Sequence, residues 1–107
     1  GGMAFEKEGE RCASLLNDPK IKVMIMGNHG LLILGDNVAD TFTRLYYFER
    51  AAETYIKALW TGQKLRMLSD EIAEKTAGQW DSYTEFSQKY FGELKAILDE
   101  EEPSYRL

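Results

Sequence analysis

Apolar residues follow two patterns along this chain, short continuous runs near the amino end and helical stripes in the remainder. The two runs, at 22–27 and 31–35, are too short for typical helices and are bounded by glycine. They predict two adjacent strands with Asn28, His29 and Gly30 at the tip between them. Because polar and apolar positions hardly alternate in these runs, both faces of the strands are expected to be covered.

A long amphipathic helix is predicted over residues 36–61. Its apolar positions recur at steps of four, three and seven, and they are Val38, Phe42, Leu45, Ala52, Ile56 and Leu59. Asn37 or Asp36 can cap the start of this helix, and Gly62 closes its end. The stripe, Leu45 included, is expected to be buried against the two strands.

Three further helices are predicted, mainly from residues that typically begin or end a helix. A weaker stripe occupies residues 5–17, and Ser69 caps a segment with an acidic first turn. A capping box starting at Ser82 is predicted to open a last helix at 83–101. Because the helix dipole disfavours acidic residues at a carboxyl end, fraying is expected in the acidic run before Pro103. The predicted order of elements is α-β-β-α-α-α.

Composition restricts the class of protein. The 107 residues, the length of one domain, include 13 basic and 18 acidic side chains, with a pI near 4.9. Such a chain lacks the basic face that nucleic acids require, and no apolar run approaches the roughly 20 residues that cross a bilayer. Cys12, the only cysteine, cannot form an internal disulfide and is expected to be a small buried side chain. A cytoplasmic protein without nucleic-acid or membrane partners is therefore expected.

Few side chains are candidates for chemistry. His29 is the only histidine, and the sequence contains neither a phosphate-binding glycine loop nor a paired-histidine or paired-cysteine metal motif. Spacing alone leaves two roles open for His29, a hydrogen-bonding structural residue or a metal ligand. Glu49 occupies a position on the long apolar stripe, where it either pairs with a basic or hydroxyl group at the edge or supports a nearby site. No catalytic residue is predicted within the chain.

The stretch at 22–62, "KVMIMGNHGLLILGDNVADTFTRLYYFERAAETYIKALWTG", resembles the C-terminal half of the class II aldolase/adducin family domain. Its features are a strand, Asn-His-Gly, a second strand ending in glycine, and a long helix with Thr41-Phe42 near its start and Phe48-Glu49-Arg50-Ala51-Ala52 at its centre. The resemblance implies an α/β fold, a three-layer αβα domain around a mostly antiparallel sheet. Residues 1–107 would be the C-terminal part of that single domain, without its N-terminal half.

The same resemblance implies a metal site. In catalytic members of the family three histidines hold a divalent metal, usually zinc, and the histidine of Asn-His-Gly is one of them. His29 is thus implied as a metal ligand, with Asn28 and Gly30 shaping the turn or orienting the imidazole. The implied reaction is retro-aldol cleavage or epimerisation of a sugar phosphate or similar carbohydrate. The His-x-His pair that supplies the other ligands is missing here, so this chain alone is expected to bind no metal tightly and to be inactive.

Two classes of function remain open, a metal-dependent lyase and an adducin-like interaction domain that uses the fold without catalysis. A stand-alone α/β protein is disfavoured, because a two-stranded ribbon needs neighbours. The expected partners are the missing N-terminal half or other copies of the chain, and family members often form tetramers. Gly1 and Gly2 are either a tag remnant or native residues of a mid-domain start, and similar glycines in the family segment favour the second interpretation.

Overall fold

The computed structural model describes residues 2–106, with side chains from residue 6 onward. Within that part of the chain lie four α-helices and a two-stranded antiparallel sheet, in the predicted order α-β-β-α-α-α. The chain divides into two compact units, Gly1–Gly35 and Asp36–Leu107. The mixed α/β class is therefore confirmed. Gly1, which the sequence analysis interprets as a tag remnant or a native residue, lies outside the described residues.

The first unit is a helix followed by a β-hairpin. Helix α1 spans Gly2–Leu15, strand β1 spans Val23–Met26 and strand β2 spans Gly30–Ile33. The strands pair antiparallel, and their register runs from Val23 opposite Ile33 to the tip of the hairpin. Both predicted strands are thus confirmed, each slightly shorter than the apolar run that predicts it.

The hairpin side chains are not fully covered. No strand side chain is buried, and Ile25 is 72% exposed. The prediction that both strand faces are covered is therefore wrong for the described residues, because a two-stranded ribbon has too few neighbours to cover two faces. Cys12 on α1 is half-buried rather than buried.

The second unit begins with the longest helix. Helix α2 spans Val38–Trp60, and the side chain of Asn37 caps it by accepting a hydrogen bond of 2.9 Å from the backbone N–H of Asp40. The predicted cap is confirmed. The helix ends at Trp60, and Gly62 just beyond it has a φ of +69°, the left-handed conformation that commonly follows a helix.

Helix α3 spans Asp70–Asp81 and has the predicted N-cap. The Oγ of Ser69 accepts a hydrogen bond of 3.3 Å from the backbone N–H of Ile72. Ser82 does not open the last helix as predicted. Its hydroxyl instead donates to the carbonyl oxygen of Gln79 at 2.6 Å, because the end of α3 offers carbonyl groups without intrahelical partners.

Helix α4 spans Thr84–Glu101, and a short 3-10 turn follows at Pro103–Arg106. Its N-cap is Tyr83, which makes no side-chain capping bond. The fraying predicted for the acidic end is not seen, since the helix continues to Glu101. The chain beyond it folds back and hydrogen-bonds to Asp99.

The core of this unit lies where α2 meets α4. Ala39 and Thr43 on α2 are buried, at 4% and 2% exposure. The rings of Phe42 and Phe91 pack with their centroids 5.6 Å apart, and an amide hydrogen bond of 3.1 Å joins Gln88 to the cap of α2. Small and aromatic side chains therefore form this contact.

Apart from Phe42, which packs against Phe91 of α4, the predicted apolar stripe of α2 lies largely on a different face. Leu45 is 38% exposed, and Ile56 and Leu59 are about half exposed. The prediction that Leu45 is buried is wrong. Helix α4 packs instead on the face of α2 that contains Ala39 and Thr43. This face is rotated from the stripe by on the order of a third of a turn about the axis of α2.

None of the helices between residues 2 and 106 combines the length and the apolar character that a membrane crossing requires. The longest of them, α2, has 23 residues, and charged side chains recur along it. The cytoplasmic location inferred from the sequence stays a prediction.

Candidate functional site

The Asn-His-Gly segment forms the tip of the β-hairpin. Gly27, Asn28 and His29 make a three-residue loop between Met26 and Gly30, which face each other across the two strands. The N–H of His29 closes the loop by donating to the carbonyl oxygen of Met26 at 3.1 Å. The prediction of a turn between two adjacent strands is confirmed.

Two residues of this turn have backbone conformations that few residue types tolerate. Asn28 has a φ of 65° and Gly30 a φ of 123°. Asparagine enters the left-handed region more readily than other non-glycine residues, and only glycine adopts a φ near that of Gly30 at little cost. A Cβ on Gly30 would meet no atom within 4 Å, so the backbone conformation rather than limited space requires glycine here.

The turn leaves His29 exposed at the tip. Its backbone is engaged with Met26, and its imidazole makes no hydrogen bond or ion pair with another side chain between residues 6 and 106. A histidine side chain at an exposed tip can offer a ring nitrogen to a metal ion. In the described part of the chain, however, no three histidine, cysteine or acidic side chains are grouped so that they could hold one.

Glu49, the other candidate, lies on α2 in the second unit. It is exposed and lines an open groove of about 620 Å³ together with Tyr46 and Arg50. The predicted edge pairing of Glu49 is not seen among the described residues. The ion pair of this groove is formed by Lys57 and Glu53 at 2.7 Å, and the hydrogen bond from Lys57 lowers the pKa of Glu53. A supporting role for Glu49 stays a prediction.

Sequence reasoning missed a polar cluster at the end of α4. The carboxylate of Asp99 accepts hydrogen bonds from the hydroxyl of Tyr105 and from the guanidinium of Arg106. The bond from Tyr105 lowers the pKa of Asp99, and Arg106 acts in the same direction. These partners lie six and seven residues after Asp99, which in a continued α-helix would be about 9–10 Å further along the axis, so helical periodicity alone does not predict the contact. The one indication of this cluster in the sequence was Pro103, which ends the helix and allows the chain to turn back.

The chain also matches known proteins over the hairpin and the long helix. The family described as Class II Aldolase and Adducin N-terminal domain matches residues 2–56. The chain belongs to the class II aldolase and adducin family. The matched range holds α1, the hairpin with His29 and most of α2, which is where the sequence resemblance was most specific.

Two kinds of relative within this family are similar to the chain. A Pseudomonas aeruginosa protein assigned by name to the class 2 aldolases is 33% identical over 88 residues, which cover 78% of this chain and 34% of that protein. The β-adducins of Rattus norvegicus and Homo sapiens are each 32% identical over 60 residues, which cover 51% of this chain and 8% of theirs. The chain thus spans about a third of the length of the aldolase-type relative. No solved structure matches it.

Proposed function

We propose that this chain is the C-terminal part of a metal-dependent lyase of the class II aldolase type. The reaction would be retro-aldol cleavage or epimerisation of a carbohydrate, with sugar phosphates as the expected substrate class. The observation that carries the proposal is the exposed His29, presented at the tip of a hairpin whose turn is shaped by Asn28 and Gly30. Family membership and the aldolase-type relative support the choice of reaction.

In this proposal His29 is one ligand of a divalent metal ion, with zinc as the first choice. Catalytic zinc is usually held by three protein ligands with a further position open to substrate. The described residues do not by themselves fit such a site, because no group of three suitable side chains exists between residues 6 and 106. The remaining ligands would have to come from outside this part of the chain, and no step of the reaction follows from its own side chains.

Metal analysis of the product of the whole gene tests the role of His29. His29→Ala is compared with Asn17→Ala, a substitution at another exposed position of the first unit. Bound zinc is measured by plasma mass spectrometry, and cleavage is measured on a panel of sugar phosphates. His29→Ala should lose zinc and activity, and Asn17→Ala should keep both. Unchanged zinc content in His29→Ala would overturn the assignment.

A non-catalytic interaction domain is the second candidate. The similarity to β-adducins favours it, and apolar side chains left exposed on α2, such as Leu59 and Trp60, suit a protein contact. In this case the unmodified product of the whole gene would hold no zinc, and His29→Ala would leave its partner binding unchanged. Zinc content of the unmodified protein therefore separates the two candidates.

We also propose that the fold is completed into a three-layer αβα domain with a mostly antiparallel sheet. The partner would be the N-terminal half of the domain or further copies of the chain, in the tetramer that the family resemblance implies. The open edges of the two-stranded sheet support this, because they leave backbone groups unpaired beside exposed side chains such as Ile25. Sedimentation of the 107-residue chain should show association. A cooperative monomer with strongly protected strands would contradict the proposal.

A further inference from the structure

Part of the apolar stripe of α2 stays open to solvent. Phe42 near its start packs against Phe91 of α4, but the positions after it are exposed or half-buried. These positions follow one another at steps of four, three, four and three, which is the spacing of a helix that packs along its length on another surface. We call them the open stripe, and they are Leu45, Glu49, Ala52, Ile56 and Leu59.

One carboxylate interrupts the open stripe. Glu49 is exposed, and it makes no hydrogen bond or ion pair with another side chain between residues 6 and 106. The basic side chains of α2 are held by other groups, in the pairs Arg44–Asp81, Arg50–Tyr46 and Lys57–Glu53. Because burying an unpaired carboxylate is costly, any surface that covers the open stripe has to bring its own partner group to Glu49.

The open stripe of a second copy does not supply that partner group, because it contains no basic residue. With the two helices parallel, Glu49 would face Glu49 of the other copy, and like charges brought together repel each other. With the helices antiparallel about Ala52, Glu49 would lie beside Ile56 of the other copy, which has no polar side-chain atom. Either arrangement leaves the carboxylate unpaired, so Glu49 acts against pairing of the stripe with its own copy.

We propose that the open stripe packs against the N-terminal half of the domain and that a lysine or arginine of that half pairs with Glu49. This inference rests on the fold completion proposed above, and it selects one of the two partners considered there. The aldolase-type relative, of which the matched segment covers 34%, contains further sequence that can provide such a surface. A basic group suits Glu49 better than a neutral donor, because charge-assisted hydrogen bonds are about twice as strong. Glu49 thus fixes the register of the partner on α2.

The substitution Glu49→Leu tests the proposal, because its effect should be opposite in two forms of the protein. In the 107-residue chain, sedimentation equilibrium should show self-association about 30-fold tighter, since the charge that opposes burial of the stripe is gone. In the product of the whole gene, urea unfolding should show a folding equilibrium constant about 100-fold lower, since the basic partner is left buried without its counter-charge.

Glu53→Leu is the matched control for this substitution. It makes the same chemical change one turn further along α2, outside the open stripe, at a carboxylate whose ion pair with Lys57 lies within the helix. It should change the self-association and the folding equilibrium constant by no more than about fivefold, the range for exposed ion pairs. If Glu49→Leu prevents folding of the whole product, Glu49→Gln takes its place, because it removes the charge at nearly constant volume.

A charge exchange then identifies the source of the basic group. In the Glu49→Lys variant of the whole product, each lysine and arginine is replaced in turn by glutamate, and one replacement in the N-terminal half should restore the urea midpoint. Rescue only from within the 107 residues, or no rescue at all, would overturn the proposal. Equal effects of Glu49→Leu and Glu53→Leu in either form would also overturn it. Zinc content of the same variants reports the proposed metal site separately, and sedimentation of the unmodified chain reports the fold completion.

Discussion

Gly30→Ala is predicted to destabilise the hairpin that presents His29. The φ of Gly30 is 123°, a conformation that side-chain-bearing residues adopt only at a cost of about 1–3 kcal/mol. Gly27 in the same loop is the matched control, because its φ is not positive. A Cβ at either position would meet no atom within 4 Å, so steric contact does not distinguish the two substitutions. Gly27→Ala should therefore be neutral, or stabilising by up to about 1 kcal/mol through the unfolded chain.

Native-state amide hydrogen exchange of the paired strands measures this difference, because it reports local opening of the hairpin. A loss of about 1–3 kcal/mol corresponds to exchange that is about 5-fold to 150-fold faster in Gly30→Ala. Exchange in Gly27→Ala should match or fall below that of the unmodified chain. If the two variants exchange equally fast, the reasoning that backbone conformation selects glycine at position 30 is refuted.

Three more outcomes are expected. Thr43→Val should raise the free energy of unfolding by about 1 kcal/mol, because the buried Thr43 hydroxyl has no hydrogen-bond partner among the described residues; a lower urea midpoint would reveal a partner. Ser69→Ala should cost about 1 kcal/mol by removing the cap of α3, and thermal melts should show a smaller loss for Ser82→Ala. Because the folded chain lowers the pKa of Asp99 from 3.8, its contribution to stability is present above that pH and is lost as the pH falls through the folded pKa. Acid-unfolding curves of the unmodified chain and Asp99→Asn should therefore differ near neutral pH and converge in strong acid, and a constant difference would contradict this.

Features decided by near neighbours in the sequence were predictable. The cap of α2 at Asn37 and the cap of α3 at Ser69 each need a backbone N–H three residues onward, which the sequence already places. The hairpin turn likewise depends on Asn28 and Gly30 and on the apolar runs beside them. In each case the residue type and the local backbone conformation favour the same structure.

Features decided by packing or by chain reversal were not predictable. Ser82 has the spacing of a capping box, yet its hydroxyl donates to the carbonyl oxygen of Gln79 at the end of α3 instead of capping α4. The partners of Asp99 come into reach only because Pro103 stops α4 and the chain turns back. Which side of α2 would be buried depended on where α4 packs, and no local pattern fixes that choice.

Helix α2 carries two faces that could each be buried, and this bears on how the fold is completed. One face contains Ala39 and Thr43 and packs where α4 lies. The other contains Leu45, Ile56 and Leu59, which keep the spacing of a core stripe although each is a third to a half exposed. A stripe of this length is unfavourable in water, so its spacing indicates a contact with a surface other than α4. The completed domain or oligomer proposed above would supply such a surface. The pattern of α2 therefore supports the proposed partner-completed fold, and it does so for a lyase and for an interaction domain alike.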